Sequence, residues 1–599
     1  MIPRADAIAA LQSDPFDVVV VGGGITGAGV ALDAASRGYS VALVEKADFA
    51  SGTSSRSSKL VHGGLRYLQQ FDLGLVREAL LERQLLAALA PHLVRPLPLV
   101  VAAFEGQRPD RLLGMGLNMY DVMSWRRGRD EAEEWSPERH RTIDADEVLE
   151  LVPALAGRDP TAGYLFYDCQ TDDARLVLTV LGEAERFGAV MANRCEVTGL
   201  VERAGRAAGV LVRDTLGGGE FELAADNVVN ATGVWADRLR PQELYTEEEV
   251  PVIRPSRGTH VTLPRERLDV RAGAIVPAGG GRTVFVLPWL GRTLVGTTDN
   301  DYEGSVDHVP PAAEDVTYLL EAVNAFFGTE LGPDDLSAAY AGVRPLISTG
   351  DPKKSVDISR KAELYETSSG LVTITGGKLT TWRRMAKMVV DRIVEREGRE
   401  APCRTHEIQL GMPVNADSLP DAPGVDEDSR VHLASRYGHA ANVVMRLAAT
   451  DPALAARISP ELPDIVAEAA FAVDAEQAHS VADVLLRRTR LGLLDARALC
   501  QPDAEGPRAV ARAMAGKLGW DDAQLERELA DWAEIARAEG LVPEAAAPVG
   551  AAVDGAAAPG ATVPGAADGA ATPGAADGAA APPAEPSPTA PGAAPEEAA

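Results

Sequence analysis

Gly22, Gly24 and Gly27 stand in the run DVVVVGGGITG (Asp17–Gly27), at the spacing a chain needs to pass close to a diphosphate. Gly22 permits a tight turn, Gly24 lets backbone approach the phosphates, and Gly27 lets a helix pack closely on the preceding strand. Ile25 and Thr26 open that helix, so a diphosphate would meet unpaired N–H groups and the positive end of the helix dipole. Glu45 closes the next apolar run, VALVE, where a carboxylate would accept hydrogen bonds from an adenosine ribose. A glycine triplet alone is weak. Strand, turn, helix and acid in this order point to an ADP-ribose-type cofactor.

The loop after Glu45 chooses among dinucleotides. DFASGTSSRSSKLVHGGLRYL (Asp48–Leu68) is rich in hydroxyls and glycines and offers Thr53, Ser57, Ser58, Lys59, Leu60, His62, Gly63 and Gly64 to an extended ligand. A nicotinamide needs no such loop, whereas the ribityl chain and ring of FAD do. VVNATG (Val228–Gly233) is a strand running into Thr232 and Gly233. TITGGKLTTWRRMA (Thr373–Ala386) is a strand followed by Gly377, Lys378, Leu379 and Thr380, leading into a helix whose N-terminus would face diphosphate or flavin carbonyls. Each segment alone reads equally well as an ordinary turn. Together they predict FAD, held without a covalent link because neither His62 nor any cysteine stands in an attachment context.

These residues need a frame. The opening strand–turn–helix predicts an α/β domain, and the β-rich runs from about Arg254 to Asp299 predict a second, mostly antiparallel sheet. From Ala401 to Gly540, apolar residues recur at three- and four-residue spacing, which predicts a compact all-α domain of five or more helices. From about Leu541 the chain is almost entirely Ala, Gly, Pro and acid, with no Lys or Arg. Such a segment cannot bury enough apolar surface to offset its ordering entropy and is expected to be disordered. The formal net charge of −30 argues against a nucleic-acid partner. The four cysteines are far apart without metal-ligand spacing, so no metal is expected and free thiols of a reducing cytoplasm are. The N-terminus does not read as a secretory signal, and no run approaches the roughly 18–20 apolar residues of a membrane span.

VGGGITGAG, TSSRSSKLVHGGLRYL, DDARL, NATGVWAD, RGTHV, FVLPWL, VGTTD, GVRPL and TGGKLTT follow one another over Asp17–Ala386. In content and order they resemble the FAD-dependent glycerol-3-phosphate dehydrogenases, and the helical segment beyond is similar to that family's C-terminal domain. The low-complexity tail lies outside the resemblance. The family implies a glutathione-reductase-like Rossmann FAD domain of the D-amino-acid-oxidase type. On this reading the FAD domain takes residues 17–100, 160–250 and 355–400, and the substrate domain 101–159 and 251–354. The helical domain follows at 401–540 and the tail at 541–599. The implied reaction converts sn-glycerol 3-phosphate to dihydroxyacetone phosphate and passes the electrons to a membrane quinone. The related oxidase, which would use oxygen and make peroxide, is the alternative. A non-catalytic flavin-binding protein is the alternative of another class.

Such chemistry has to hold a phosphate dianion and take a proton from the C2 hydroxyl. Arginine suits phosphate best, and the candidates are Arg66 with its neighbour Tyr67, Arg344 in AGVRPL, and Arg360 in DISRKAELYE. Arg360 reads also as a solvated charge. Lys378 would serve flavin or substrate. Of nine histidines, His260 in SRGTHVTLP is the first candidate for the base, His62 the second, with Arg344 or water left as alternatives. His260 reads also as a satisfied core residue. Contact with a membrane would come from RLLGMGLNMYDVMSWRRGR (Arg111–Arg129), either an interfacial element or a helix packed on its own core. A cytoplasmic protein, peripheral on the inner face of the cell membrane, follows from this reading, which also admits a homodimer.

Overall fold

The structure, a computed structural model, describes residues 1–64, 73–105, 111–124, 138–239, 252–348 and 362–543. Two sheets organise it. In the first, the strands run in the order Ala362–Glu366, Val372–Gly376, Glu220–Asn230, Phe16–Val21, Val41–Val44, Val190–Ala192. All neighbours are parallel except the first pair. Phe16–Val21 is central and its valines are buried on both faces, as parallel strands covered by helices must be. Ile25–Ser36, Asp173–Arg186 and Trp382–Glu397 cover one face, where Val18, Val20, Leu32, Leu181 and Trp382 share a core. Arg4–Ser13 covers part of the other, where Leu11 meets Val19 and Val21. The hairpin Cys195–Arg203 and Arg206–Asp214 extends the first half of Glu220–Asn230 antiparallel.

The second sheet has ten strands and is antiparallel except where Gly273–Pro277 runs parallel to Arg95–Phe104. Its axis is the long pair Val252–Pro264 with Ala338–Ser348. Side chains alternate across it with the period of two that a pleated strand imposes. Leu287, Leu294 and Tyr340 face the C-terminal helices, while Val286, Val295 and Ala339 face the helix Ala313–Phe327.

Three boundaries differ from the expectation. Pro160–Gln170 and Arg95–Phe104, placed wholly or partly in the FAD domain, pair with each other inside the ten-stranded sheet. An apolar strand states that it will be buried and not which sheet it joins. The segment 401–540 does form helices, Glu427–Tyr437, Ala441–Ala448, Ala467–Glu476, Glu505–Leu518 and Asp522–Ala538 among them. Ala467–Glu476, Glu505–Leu518 and Asp522–Ala538 share a core with the ten-stranded sheet, while Glu427–Tyr437 and Ala441–Ala448 close a second core with Leu419, Ile465 and Phe471. Leu541, the first residue of the expected tail, is buried, and its carbonyl accepts the Ala339 N–H at 2.8 Å. The expected disorder of the tail from residue 544 onward lies outside the described residues.

Candidate active site

Phe16–Val21 ends at Gly22, whose φ of +110° only glycine adopts without strain. A Cβ there would stand 2.7 Å from the Ala231 carbonyl oxygen, and one on Gly27 1.9 Å from that of Gly22. The turn and the helix it feeds are therefore closed to any side chain at these two places. Gly24 caps the helix Ile25–Ser36 without a side-chain hydrogen bond, and the Ile25 N–H donates to Ser54 Oγ at 3.0 Å. Glu45 accepts the Gly23 N–H at 2.7 Å and the Ala47 N–H at 2.9 Å. Burial pushes its pKa up and these two amides oppose the push. A carboxylate offers about four acceptor positions, so two stay open to hydroxyl donors.

A cavity of about 680 Å³ opens beside this turn, within the range of ligand sites. Of the expected cofactor residues, Gly22, Gly24, Ile25, Thr26, Glu45, Thr53, Ser57, Thr232, Gly233, Gly377, Lys378 and Leu379 line it. Gly27, Ser58, Lys59, Leu60, His62, Gly63, Gly64 and Thr380 do not. Leu60 is paired in the short strand Leu60–Val61. The His62 N–H donates to Thr380 Oγ1 at 3.1 Å, so these two hold each other. The Gly63 N–H donates to the Tyr120 hydroxyl, which itself donates to Asp168. Lys59 turns its ammonium away from the cavity to Asp173 at 2.8 Å and the Ser55 carbonyl at 2.7 Å. Lys59 and Arg490 hold the Asp173 carboxyl below its usual range against the effect of burial. The strand Cys195–Arg203 also lines the cavity through residues 195–200 and Glu202, with Trp235 and Arg238 beyond. Nothing in these residue types marked them, because their role comes from the sheet edge they occupy.

His260 and Arg344 lie on the axial pair of the second sheet, where His260 stands opposite Tyr340 and Arg344 opposite Ser256. The His260 ring stacks on Tyr340 with centroids 4.8 Å apart, and its Nε2 is 2.9 Å from Ser58 Oγ. Gly296 makes room for it, since a Cβ there would come within 2.2 Å of the ring. Burial first, then the nearby Lys59 and Arg344 cations, push its pKa well below the ordinary value, so the imidazole is neutral near pH 7. Arg344 donates to the Thr298 carbonyl and to Asp299 at 3.3 Å. Neither side chain lines the cavity, although Pro345, next to Arg344, does. The flavin-side loop seals the junction: Thr53 Oγ1 donates to the Val343 carbonyl at 2.6 Å and the Tyr340 hydroxyl to the Ser57 carbonyl at 3.0 Å. Arg66, Tyr67 and Arg360 lie outside the described residues.

The helix Arg111–Ser124 buries Leu117 and Tyr120 and exposes Met115, Met119 and Val122. Residues 125–129 lie outside the described residues. Among the described residues, no helix is long and apolar enough to cross a membrane. His432, Asp464 and Glu468 lie within metal-ligating reach of one another, but the Arg436 guanidinium donates to both carboxylates there.

A side-chain-free turn, a helix N-terminus and a cavity lined by Gly-rich backbone at the carboxyl ends of three parallel strands fit the diphosphate and the ring system of FAD. A family model described as FAD dependent oxidoreductase matches residues 17–392, and one described as the C-terminal domain of alpha-glycerophosphate oxidase matches residues 372–525. Fold and site thus define an FAD-dependent oxidoreductase. Glycerol-3-phosphate dehydrogenase 2 of Mycobacterium tuberculosis is 38% identical over 547 residues, 90% of this chain and 91% of its own. The aerobic glycerol-3-phosphate dehydrogenase of Bacillus subtilis is 36% identical over 494 residues, 79% of this chain and 87% of its own. The solved glycerol-3-phosphate dehydrogenase of Bacillus halodurans, complexed with FAD, matches with a TM-score of 0.71 at 28% identity, over 90% of this chain and 97% of that one. The chain belongs to the FAD-dependent glycerol-3-phosphate dehydrogenase family.

Proposed function

We propose that the protein oxidises sn-glycerol 3-phosphate to dihydroxyacetone phosphate and passes the electrons to a membrane quinone. The observation that carries this reading is that one strand pair holds a cation, Arg344, beside the cavity-lining Pro345, and a neutral imidazole, His260, four positions along the ladder. FAD, which the Gly22–Gly24 turn and the Gly377–Leu379 backbone would hold, would supply the acceptor for the C2 hydride. Arg344 holds the phosphate, assisted by Arg66, Tyr67 and Arg360, and Lys378 serves from the cavity wall. Among the partners of Arg344, the Thr298 carbonyl and Asp299 stand at 3.3 Å and Thr297 Oγ1 at 3.4 Å, longer than the charge-assisted pair a phosphate would offer. Ser58 Oγ takes the C2 hydroxyl proton and passes its own to His260 Nε2, 2.9 Å away, which makes His260 the base. Tyr340, stacked on the ring, keeps water away.

FAD is held non-covalently: His62 stands off the cavity, and burial pushes the Cys195 thiol on the cavity wall up to about 11. Acid precipitation therefore leaves a yellow supernatant; colour retained in the pellet contradicts this. The exposed Met115, Met119 and Val122 stripe favours a protein peripheral on the inner face of the cell membrane, where a quinone is within reach. A homodimer is part of the same reading. The test uses purified holoenzyme and glycerol 3-phosphate, assayed for peroxide in air and, without oxygen, for reduction of a quinone analogue. Quinone reduction without stoichiometric peroxide is expected. Peroxide as the main product makes the protein an oxidase, and no flavin bleaching removes the substrate reading.

A further inference from the structure

Arg487, Arg488 and Arg490 belong to the C-terminal helices and are all buried, yet their partners lie in the flavin-side loop some 435–440 residues earlier in the chain. Arg487 and Arg488 end the π-helical turn Val484–Arg488, a local widening that recurs at functional sites. Arg490 has φ +67°, a backbone region that side chains disfavour. The chain accepts both irregularities at the place where the three guanidinium groups are aimed.

Their targets are the two ends of one loop. At its start, Asp48 accepts Arg487 Nε at 2.5 Å and Arg488 Nη1 and Nη2 at 2.9 Å each. Near its end, the Ser55 carbonyl accepts Arg490 Nη2 at 2.6 Å. Asp173 accepts the same nitrogen at 3.0 Å and also takes the N–H and hydroxyl of Ser57. Between these anchors lie Ser51, Gly52, Thr53 and Ser54, which line the FAD cavity. Ser54 in turn accepts the N–H of Ile25 at the helix N-terminus. Buried ion pairs are poor general adhesive, because desolvation offsets most of their attraction, whereas they do specify one geometry. Guanidinium forks that bind a backbone carbonyl and a carboxylate together suit that task.

We propose that Arg488 and Arg490 are positioning residues through which the C-terminal helices fix both ends of the Asp48–Lys59 loop and so set how tightly the protein holds FAD. The helical region is thereby part of the cofactor site although none of its residues lines the cavity. This does not depend on which substrate is oxidised.

The test measures FAD affinity of the full chain by flavin fluorescence quenching, beside the melting temperature, for R490A, R490K and R488K. R497A is the control, because Arg497 sits in the same helices but donates to the Leu336 and Pro333 carbonyls. R490A is expected to raise the FAD dissociation constant about tenfold or more. R490K, which keeps the charge but loses the fork, should raise it by about threefold. R497A should lower the melting temperature and leave FAD affinity alone. Should R490A not fold, R490K and R488K decide the matter. Wild-type FAD affinity in these variants, with only the melting temperature lowered, overturns the proposal.

Discussion

The turn at Gly22–Gly27 and the strand pair carrying His260 and Arg344 stand beside one cavity and are built on opposite principles. At the turn, function lies in backbone: the space is so tight that a Cβ would collide with a carbonyl oxygen. At the strand pair, function lies in side chains whose state depends on partners from elsewhere, Ser58 and Lys59 for His260 and Asp299 for Arg344. The first kind of site admits one residue type and fails completely when that is changed. The second tolerates substitution structurally and fails chemically.

Changing Gly27 to Val tests the first half and has the largest expected effect. With the Gly22 carbonyl 1.9 Å from the new Cβ, the helix cannot stay where it is, and a loss of several kcal/mol is expected. The variant should be recovered without flavin or not at all. A yellow, folded Gly27→Val protein would break the comparison. Arg344→Ala tests the second half. Bound-FAD absorbance should be unchanged while kcat/KM for glycerol 3-phosphate falls by about 2–4 kcal/mol, the loss of one charge-assisted contact in a partly dry site. Normal kinetics would reduce Arg344 to the structural partner of Asp299.

The same contrast explains what could be read from the chain before its fold was known. The glycine spacing, Glu45 and the Gly377–Thr380 turn were legible because sterics leave a short local pattern. Most of the expected cofactor residues up to Thr53 do line the cavity. In the rest of the flavin-side loop only Ser57 of the expected residues does: Lys59 reads as a ligand from sequence, and only the approach of Asp173 shows that its charge is spent internally. Cys195–Arg203 was invisible, since a strand with no distinctive residue becomes a wall by topology alone. The helical character of 401–540 is evident from periodicity, but the fusion of its part from Ile458 onward with the ten-stranded sheet depends on Leu287 and Tyr340 in distant segments. Arg487, Arg488 and Arg490 were unreadable for the same reason.

A smaller effect probes a charge pair that joins the last helix to the flavin-side loop. Glu539, just past Asp522–Ala538, pairs with Arg56 and with His308. Burial pushes its pKa up, but these cations override burial and hold the carboxyl at about 2. Because the folded value is depressed, the stabilisation is fully present above the unfolded value of about 4.5 and is lost as pH falls through about 2. Glu539→Gln should therefore cost about 2–3 kcal/mol at pH 7 by urea unfolding, with the gap to wild type narrowing below about pH 4.5. A gap independent of pH would assign Glu539 to packing instead of charge.

The smallest effect marks where the folded body ends. The Leu541 side chain is buried among the C-terminal helices, and its carbonyl extends the sheet hydrogen bonding at Ala339. Val542 packs against the same core. Truncation after Gly540 removes both contacts and should cost about 2–3 kcal/mol, the burial of one leucine with its cavity. Truncation after Val542 keeps them and removes only Ala, Gly, Pro, acid, three valines and a few small polar residues, with no Lys, Arg or aromatic side chain to dock with. Melting temperature, flavin content and turnover should then match the full chain within error. A loss of several degrees on that second truncation would show that the Ala/Gly/Pro segment binds the folded body, where neither backbone geometry nor side-chain charge accounts for it.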